Sequence, residues 1–300
     1  MVQKTSVREK AVVDIIERKN ELKYILLIII SVCFLATGGI FVKLSQFPPI
    51  ATGFYRILFS IPMLFPFVFK TALTVSTKNK FLILIAGVFL AIDLILWNMS
   101  FHLTTVANGN LLANLVPFTI IPISYFVFKE RIPKKFFFGL AITLTGIYIL
   151  MSGKIEPNMD NFHGDLLAFL TSIFYALFLL TVYRARDEVG AMTLMLIVAF
   201  GSVVVLFLAM VVVEGIYIPK TIPELSPLLG LALVSQILGQ GTMSLCLGKV
   251  EASLSSVLVL AQPVVAAIYS FFIFSEKLSI FEVLGIVITL VGIYYSKKSF

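Results

Sequence analysis

The chain repeats itself at a fixed offset. Pro117 returns 146 positions later as Pro263, Phe128 as Phe274, Glu130 as Glu276, Gly139 as Gly285, and Gly146-Ile147-Tyr148 as Gly292-Ile293-Tyr294. An offset held without a gap across two apolar stretches and their connecting loop marks a duplicated unit of about 150 residues, and in a membrane protein such a unit points to a transporter. Two pseudo-symmetric halves supply a binding site at their interface and a means of exposing it to either side.

Composition makes this a membrane protein. Of 300 residues, 59% are hydrophobic and 13% charged, and mean hydropathy is +1.04; a soluble domain carries about 25% charged residues. Apolar stretches for ten spans of about 20 residues each fall near 24–44, 49–69, 81–101, 105–128, 136–152, 164–183, 190–213, 226–247, 252–274 and 279–296. Residues 1–23 hold six basic and four acidic side chains. They read as a short cytoplasmic extension, with a helix on the membrane surface as one form. A signal peptide is not expected, because the following apolar stretch is too long and lacks a small-residue cleavage site. Cys33 and Cys246 lie inside apolar spans and read as small core residues, not a disulfide. The net charge of +7 is spread over span ends, which argues for cytoplasmic flanks and against a nucleic-acid partner.

Lysine and arginine set orientation. With the N-terminus inside, the inner segments hold the six basic residues of 1–23 and Lys70, Lys78, Lys80, Lys129, Arg131, Lys134, Lys135, Arg184, Arg186, Lys249, Lys297 and Lys298. Only Lys43, Arg56, Lys154, Lys220 and Lys277 remain, so both termini are expected in the cytoplasm. Five spans per unit is an odd number, so the second unit enters the membrane inverted. The loop Lys129-Glu130-Arg131-Ile132-Pro133-Lys134-Lys135 maps onto Ser275-Glu276-Lys277-Leu278-Ser279-Ile280-Phe281, which keeps the glutamate and loses three of four basic residues. A loop moved to the outer side would lose charge in this way.

The run Thr105-Val106-Ala107-Asn108, Leu115-Val116-Pro117, Phe128-Lys129-Glu130-Arg131, Gly139 and Gly146 resembles the EamA unit of the drug/metabolite transporter superfamily. The second copy, Gln262-Pro263, Phe274-Ser275-Glu276-Lys277, Gly285 and Gly292, is similar, and so is the pattern Phe41-Val42-Lys43, Pro48-Pro49 and Arg56 near the start. The resemblance covers nearly the whole chain after residue 23 and is not specific for a substrate. It implies an all-α integral membrane carrier of ten transmembrane helices, built as two inverted five-helix repeats around a central cavity. The units would be 24–152 and 164–297, with an external linker at 153–163. It also implies export of small metabolites, often amino acids, across the cytoplasmic inner membrane.

Asp93 is the sharpest single residue, because an ionisable group within a span marks function by default. Asp93 and Arg56 both sit about 10–12 Å below the outer end of their spans at 1.5 Å per residue, so they could meet. A structural ion pair, a contact with a charged or zwitterionic substrate, and a proton-coupling site are the open readings. Trp97, one turn after Asp93 on the same face, either packs or stacks on a ligand; Asn98 is adjacent. Asn110 and Asn114 share a stripe with Pro117, and their carboxamides either join helices or meet a ligand with an amino-acid backbone. Pro117 and Pro263 delete backbone hydrogen bonds mid-span, which implies a paired bend beside a cavity. Gln236, Gln240 and Ser244 form a polar stripe in span eight, flanked by Gly239 and Gly241. Tyr175, Ser256 and Gln262 complete the candidate lining, which is expected mainly from spans three, four, eight and nine. Lys43 reads as a snorkelling residue, His102 as an interfacial cap, and Glu130 and Glu276 as loop anchors.

No catalytic set, cofactor site or metal site is legible. There is no nucleotide-binding glycine loop, and the two histidines, His102 and His163, are far apart. Beyond residue 23 no extramembrane stretch is long enough to form a domain, which argues against an ATP-driven pump or an enzyme within this chain. A channel-like pore would need a continuous polar lining or rings of charge. An importer or exchanger of another metabolite or a drug-like cation is the nearer alternative. The expected partners are a small-molecule substrate, the lipid bilayer and a proton as candidate coupling ion; monomer and homodimer stay open.

Overall fold

Hydrocarbon offers backbone N–H and C=O groups no partner, so apolar spans satisfy those groups internally as helix. The structure, a computed structural model, describes residues 2–104, 106–152, 161–274 and 278–300, with side chains from Leu22 onward except at 101, 102, 106, 107 and 274. Ten helical segments are long and apolar enough to cross a membrane: Leu22–Leu44, Pro49–Thr74, Thr77–Ser100, Asn108–Phe126, Lys134–Ser152, Phe162–Ala185, Ala191–Val213, Ile222–Cys246, Ala252–Ile273 and Ile280–Lys298. These are spans one to ten. Span one belongs to a single helix, Val2–Leu44, with no break in the backbone at residue 23. Most of the linker expected at 153–163, with Glu276, Lys277 and the side chain of His102, lies outside the described residues.

Three spans are not plain α-helices. Span four is built from Val106–Ala113 and Val116–Phe126, and span nine from Ala252–Val259 and Gln262–Phe274. The first halves end at residues 113 and 259 and the second halves resume at 116 and 262. Both breaks therefore match under the repeat offset. Pro117 and Pro263 each sit at the second position of the resumed helix, where a proline's missing N–H costs nothing. Span eight winds as a π-helix over Leu231–Gly241, between α-helical turns. Ser31 in span one donates to the carbonyl of Gly239 at 2.8 Å within that wider turn.

Spans five and ten form a close antiparallel pair. A β-carbon on Gly139 would overlap Ser296, and one on Gly285 would overlap Leu150; Gly146 meets Thr289 in the same way, and Gly292 meets Thr143. Adding 146 to one member of a contact and subtracting it from the other turns Gly139–Ser296 into Gly285–Leu150 and Gly146–Thr289 into Gly292–Thr143. The interface maps onto itself, as a two-fold contact does. The four glycines that recur in the sequence are thus the places where two backbones touch.

Two carboxylates tie the units together at helix starts. Glu130, after span four, accepts from the N–H of Ala252 at 2.8 Å and of Ser253 at 3.2 Å, and from the Ser253 hydroxyl at 2.7 Å. Glu214, after span seven, accepts from the N–H of Ile50 and of Ala51, each at 2.8 Å. Both satisfy amides that a helix N-terminus leaves without an internal partner, and both place negative charge where the helix dipole favours it. Glu130 is more than a loop anchor, because it caps span nine.

Candidate functional site: a polar cavity at the broken spans

The interrupted helices put freed backbone and polar side chains around one space. A cavity of about 690 Å³, its open mouth included, is bounded by Asp93 and Trp97 of span three, Asn110 and Asn114 of span four, and Gln262 of span nine. Span two contributes Arg56, span six Thr171 and Tyr175, and span eight Ser235 and Gln240. Leu35 and Gly38 of span one and Leu90 and Leu94 of span three form an apolar side. The cavity is therefore wider in origin than the four spans expected. Spans one, two and six also face it; Arg56 and Tyr175 stand out in the sequence, whereas Leu35, Gly38 and Thr171 carry no signature distinct from packing.

Arg56 and Asp93 are both buried, at 8% and 7% exposure. Among the described residues no nitrogen–oxygen approach of 4.0 Å or less joins them. Arg56 instead donates its Nε–H to Gln236 Oε1 at 2.9 Å. Gln236 is itself buried and lies behind the cavity wall. One π-turn on, Gln240 accepts from the Tyr175 hydroxyl at 3.2 Å. In both glutamines the Nε2 is buried and meets no acceptor among the described residues.

The remaining sequence candidates separate by what they touch. The Asn114 side chain donates to the Asn110 carbonyl at 2.7 Å, so it caps the break in span four while bordering the cavity. Asn98 is buried between spans two and three, where its Nδ2 donates to the Pro49 carbonyl at 2.8 Å. Ser256 is buried, and its hydroxyl returns to the Ser253 carbonyl of its own helix at 2.7 Å. Ser244 bonds Met195 Sδ at 3.1 Å, outside the lining. Pro117 and Pro263 flank the lining residues Val116 and Gln262 at the two breaks. Cys33 and Cys246 are free thiols. Among the described residues no group of three His, Cys, Asp or Glu side chains could hold a metal.

Chemically, the cavity sets a guanidinium and a carboxyl group, not joined to each other, among amides, a phenol and an indole. Such a lining can receive a small ligand carrying both charges, or exchange a proton at the carboxyl once ligand and water are sorted on either side of it.

Known proteins agree with this architecture. The EamA-like transporter family model matches residues 22–152 and again 162–296. An uncharacterized transporter of Archaeoglobus fulgidus is 24% identical over 278 residues, covering 90% of this chain and 95% of its own length. A probable amino-acid metabolite efflux pump of Escherichia coli is 26% identical over 59% of this chain and 62% of its own length; its namesake in Salmonella typhimurium is 24% identical over 61% and 64%. The chain thus spans a little under two thirds of the two named pumps. A crystal structure with a TM-score of 0.78 covers 92% of this chain and 96% of its own at 15% identity, a likeness of fold alone.

Proposed function

The chain belongs to the EamA-like transporter family, and from that premise we propose that it is a secondary carrier exporting small metabolites, amino acids first among them, by alternating access. Transport by a multi-pass membrane protein follows from the family and the ten apolar helices. The observation that carries the proposal is the cavity at the paired helix breaks, where Arg56 and Asp93 border one space without contacting each other. A carboxylate and an ammonium on one small molecule would satisfy both charges, and the carboxamides of Asn110, Asn114 and Gln262 would serve its remaining donors and acceptors. The names of the two bacterial efflux pumps lend the amino-acid class further support.

In this reading the repeats are 24–152 and 164–297, related by an axis in the membrane plane, with both termini in the cytoplasm of a cytoplasmic-membrane protein. The antiparallel course of spans five and ten supports the inversion. Asp93 is the site at which a proton would couple to the substrate. Its role requires it to lose or gain a proton as the cavity changes sides.

Counterflow in proteoliposomes tests the proposal. The purified protein is loaded with each unlabelled L-amino acid in turn, and uptake of the same labelled compound is followed. Transient accumulation above equilibrium is expected for at least one, because only a carrier couples the two fluxes. Equal leakage of every compound without accumulation would replace the carrier by a pore. Silence across the amino-acid panel would remove that substrate class.

A further inference from the structure

Span eight departs from α-helix over Leu231–Gly241, and π-turns of this kind recur at functional sites because they re-aim side chains at a cost in backbone geometry. Gln236 lies in the middle of that stretch. It is 1% exposed, and its Nε2 meets no acceptor among the described residues. A buried amide donor left unmatched is destabilising, and a methionine of the same volume would avoid it. What the amide supplies is its oxygen, and that oxygen takes the Nε–H of Arg56 at 2.9 Å. The bond uses the one guanidinium donor that points back along the side chain. The two Nη groups, which carry the fork geometry suited to a carboxylate, meet no acceptor among the described residues, and Arg56 borders the cavity.

Asp93 borders the same space as Arg56. In a poorly solvated cavity two opposite charges within reach of each other attract strongly. A long, flexible arginine would therefore settle on the aspartate unless something held it. The restraint the structure provides is the hydrogen bond to Gln236.

We propose that Gln236 is a positioning residue: by accepting the Nε–H of Arg56 it holds the guanidinium off Asp93 and leaves both Nη groups facing the cavity to receive a ligand carboxylate. The inference rests on the reading of this cavity as the transport site and adds the residue that keeps its two charges apart. Without that separation the site would neutralise itself, and a ligand would have to break an ion pair before binding.

The test reads the guanidinium directly and needs no substrate. Full-length protein in detergent is treated with methylglyoxal, a small arginine reagent, and modification of Arg56 is followed by peptide mass spectrometry against the exposed loop residue Arg131 as internal standard. Wild-type Arg56 is expected to react through the cavity mouth. In Gln236→Met the rate falls about tenfold, as the guanidinium pairs with Asp93 in a buried site. Adding Asp93→Asn to that variant restores the rate to within about twofold of wild type, the non-additivity expected of coupled residues. Gln236→Leu removes the acceptor with a second apolar side chain and is expected to show the same loss and the same rescue; it decides the matter if the methionine variant does not fold. A purely structural role for Gln236 would show no rescue by Asp93→Asn. Unchanged labelling in whichever of the two variants folds, or an unreactive wild-type Arg56, would overturn the proposal. Failure of the counterflow experiment with labelling as expected would instead overturn the transport reading and leave the positioning role standing.

Discussion

At the scale of single residues, the structure separates two roles that one chemical group can play. Had Asp93 and Arg56 been a closed ion pair, removing either charge would cost about 3–5 kcal/mol by stranding the other. They do not touch, so Asp93→Asn is expected to change thermal stability by less than about 1 kcal/mol while abolishing concentrative uptake. Melting in detergent and uptake driven by an imposed proton gradient into proteoliposomes of the same preparation check this, and a large drop in melting temperature would restore the structural lock. Arg56→Gln should behave differently. It strands the buried Gln236 oxygen and is expected to lose about 1–3 kcal/mol. Asp93, Trp97, Asn110, Asn114, Tyr175, Gln240 and Gln262 were legible as cavity candidates because polar groups inside apolar spans have few other places to go. The Arg56–Gln236 bond was not legible, since its partners are 180 residues apart and nothing local ties them. Asn98 and Ser256 were indistinguishable from lining residues in the sequence. Their hydrogen bonds to Pro49 and Ser253 are tertiary and helical facts that only coordinates carry.

At the scale of elements, the breaks in spans four and nine were legible because proline forbids one hydrogen bond and its position is repeated. The π-winding of span eight was not. Gln236 and Gln240 lie four apart, and that spacing keeps them on nearly one face whether the turn is α or π. The caps were only half visible: Pro48-Pro49 announces a helix start whose first amides need an acceptor, but that Glu214 supplies it depends on how span seven packs. These caps make a prediction of their own. Glu130→Ala removes three hydrogen bonds from the start of span nine and is expected to cost about 1–2 kcal/mol, the range of a strong N-cap. Glu130→Gln keeps an acceptor and should lose less than half of that. Chemical or thermal unfolding of the two variants decides it, and equal loss in both would mean that charge, not capping geometry, is what Glu130 contributes. The glycine contacts give a sharper result: Gly146→Leu drives a side chain into the Thr289 backbone and is expected to destabilise by at least the 1–3 kcal/mol of an overpacked core.

At the scale of the whole molecule, the question is how the two matching units lie in the bilayer. The contacts Gly139–Ser296 and Gly285–Leu150 join the beginning of each span to the end of the other, so spans five and ten run in opposite directions. A parallel duplication could not make that contact between spans five and ten without a further crossing of the membrane. The basic residues point the same way, since Lys134 and Lys135 open span five while Ile280 and Phe281 occupy the matching positions of span ten. In cells whose outer face alone is exposed, and in a background with Cys33 and Cys246 replaced, Lys134→Cys should be protected from a membrane-impermeant maleimide and Ile280→Cys should react. Reversal of both would keep the inversion and move the termini outside. Reaction of both, or protection of both, would place the two loops on one side and end the inverted arrangement.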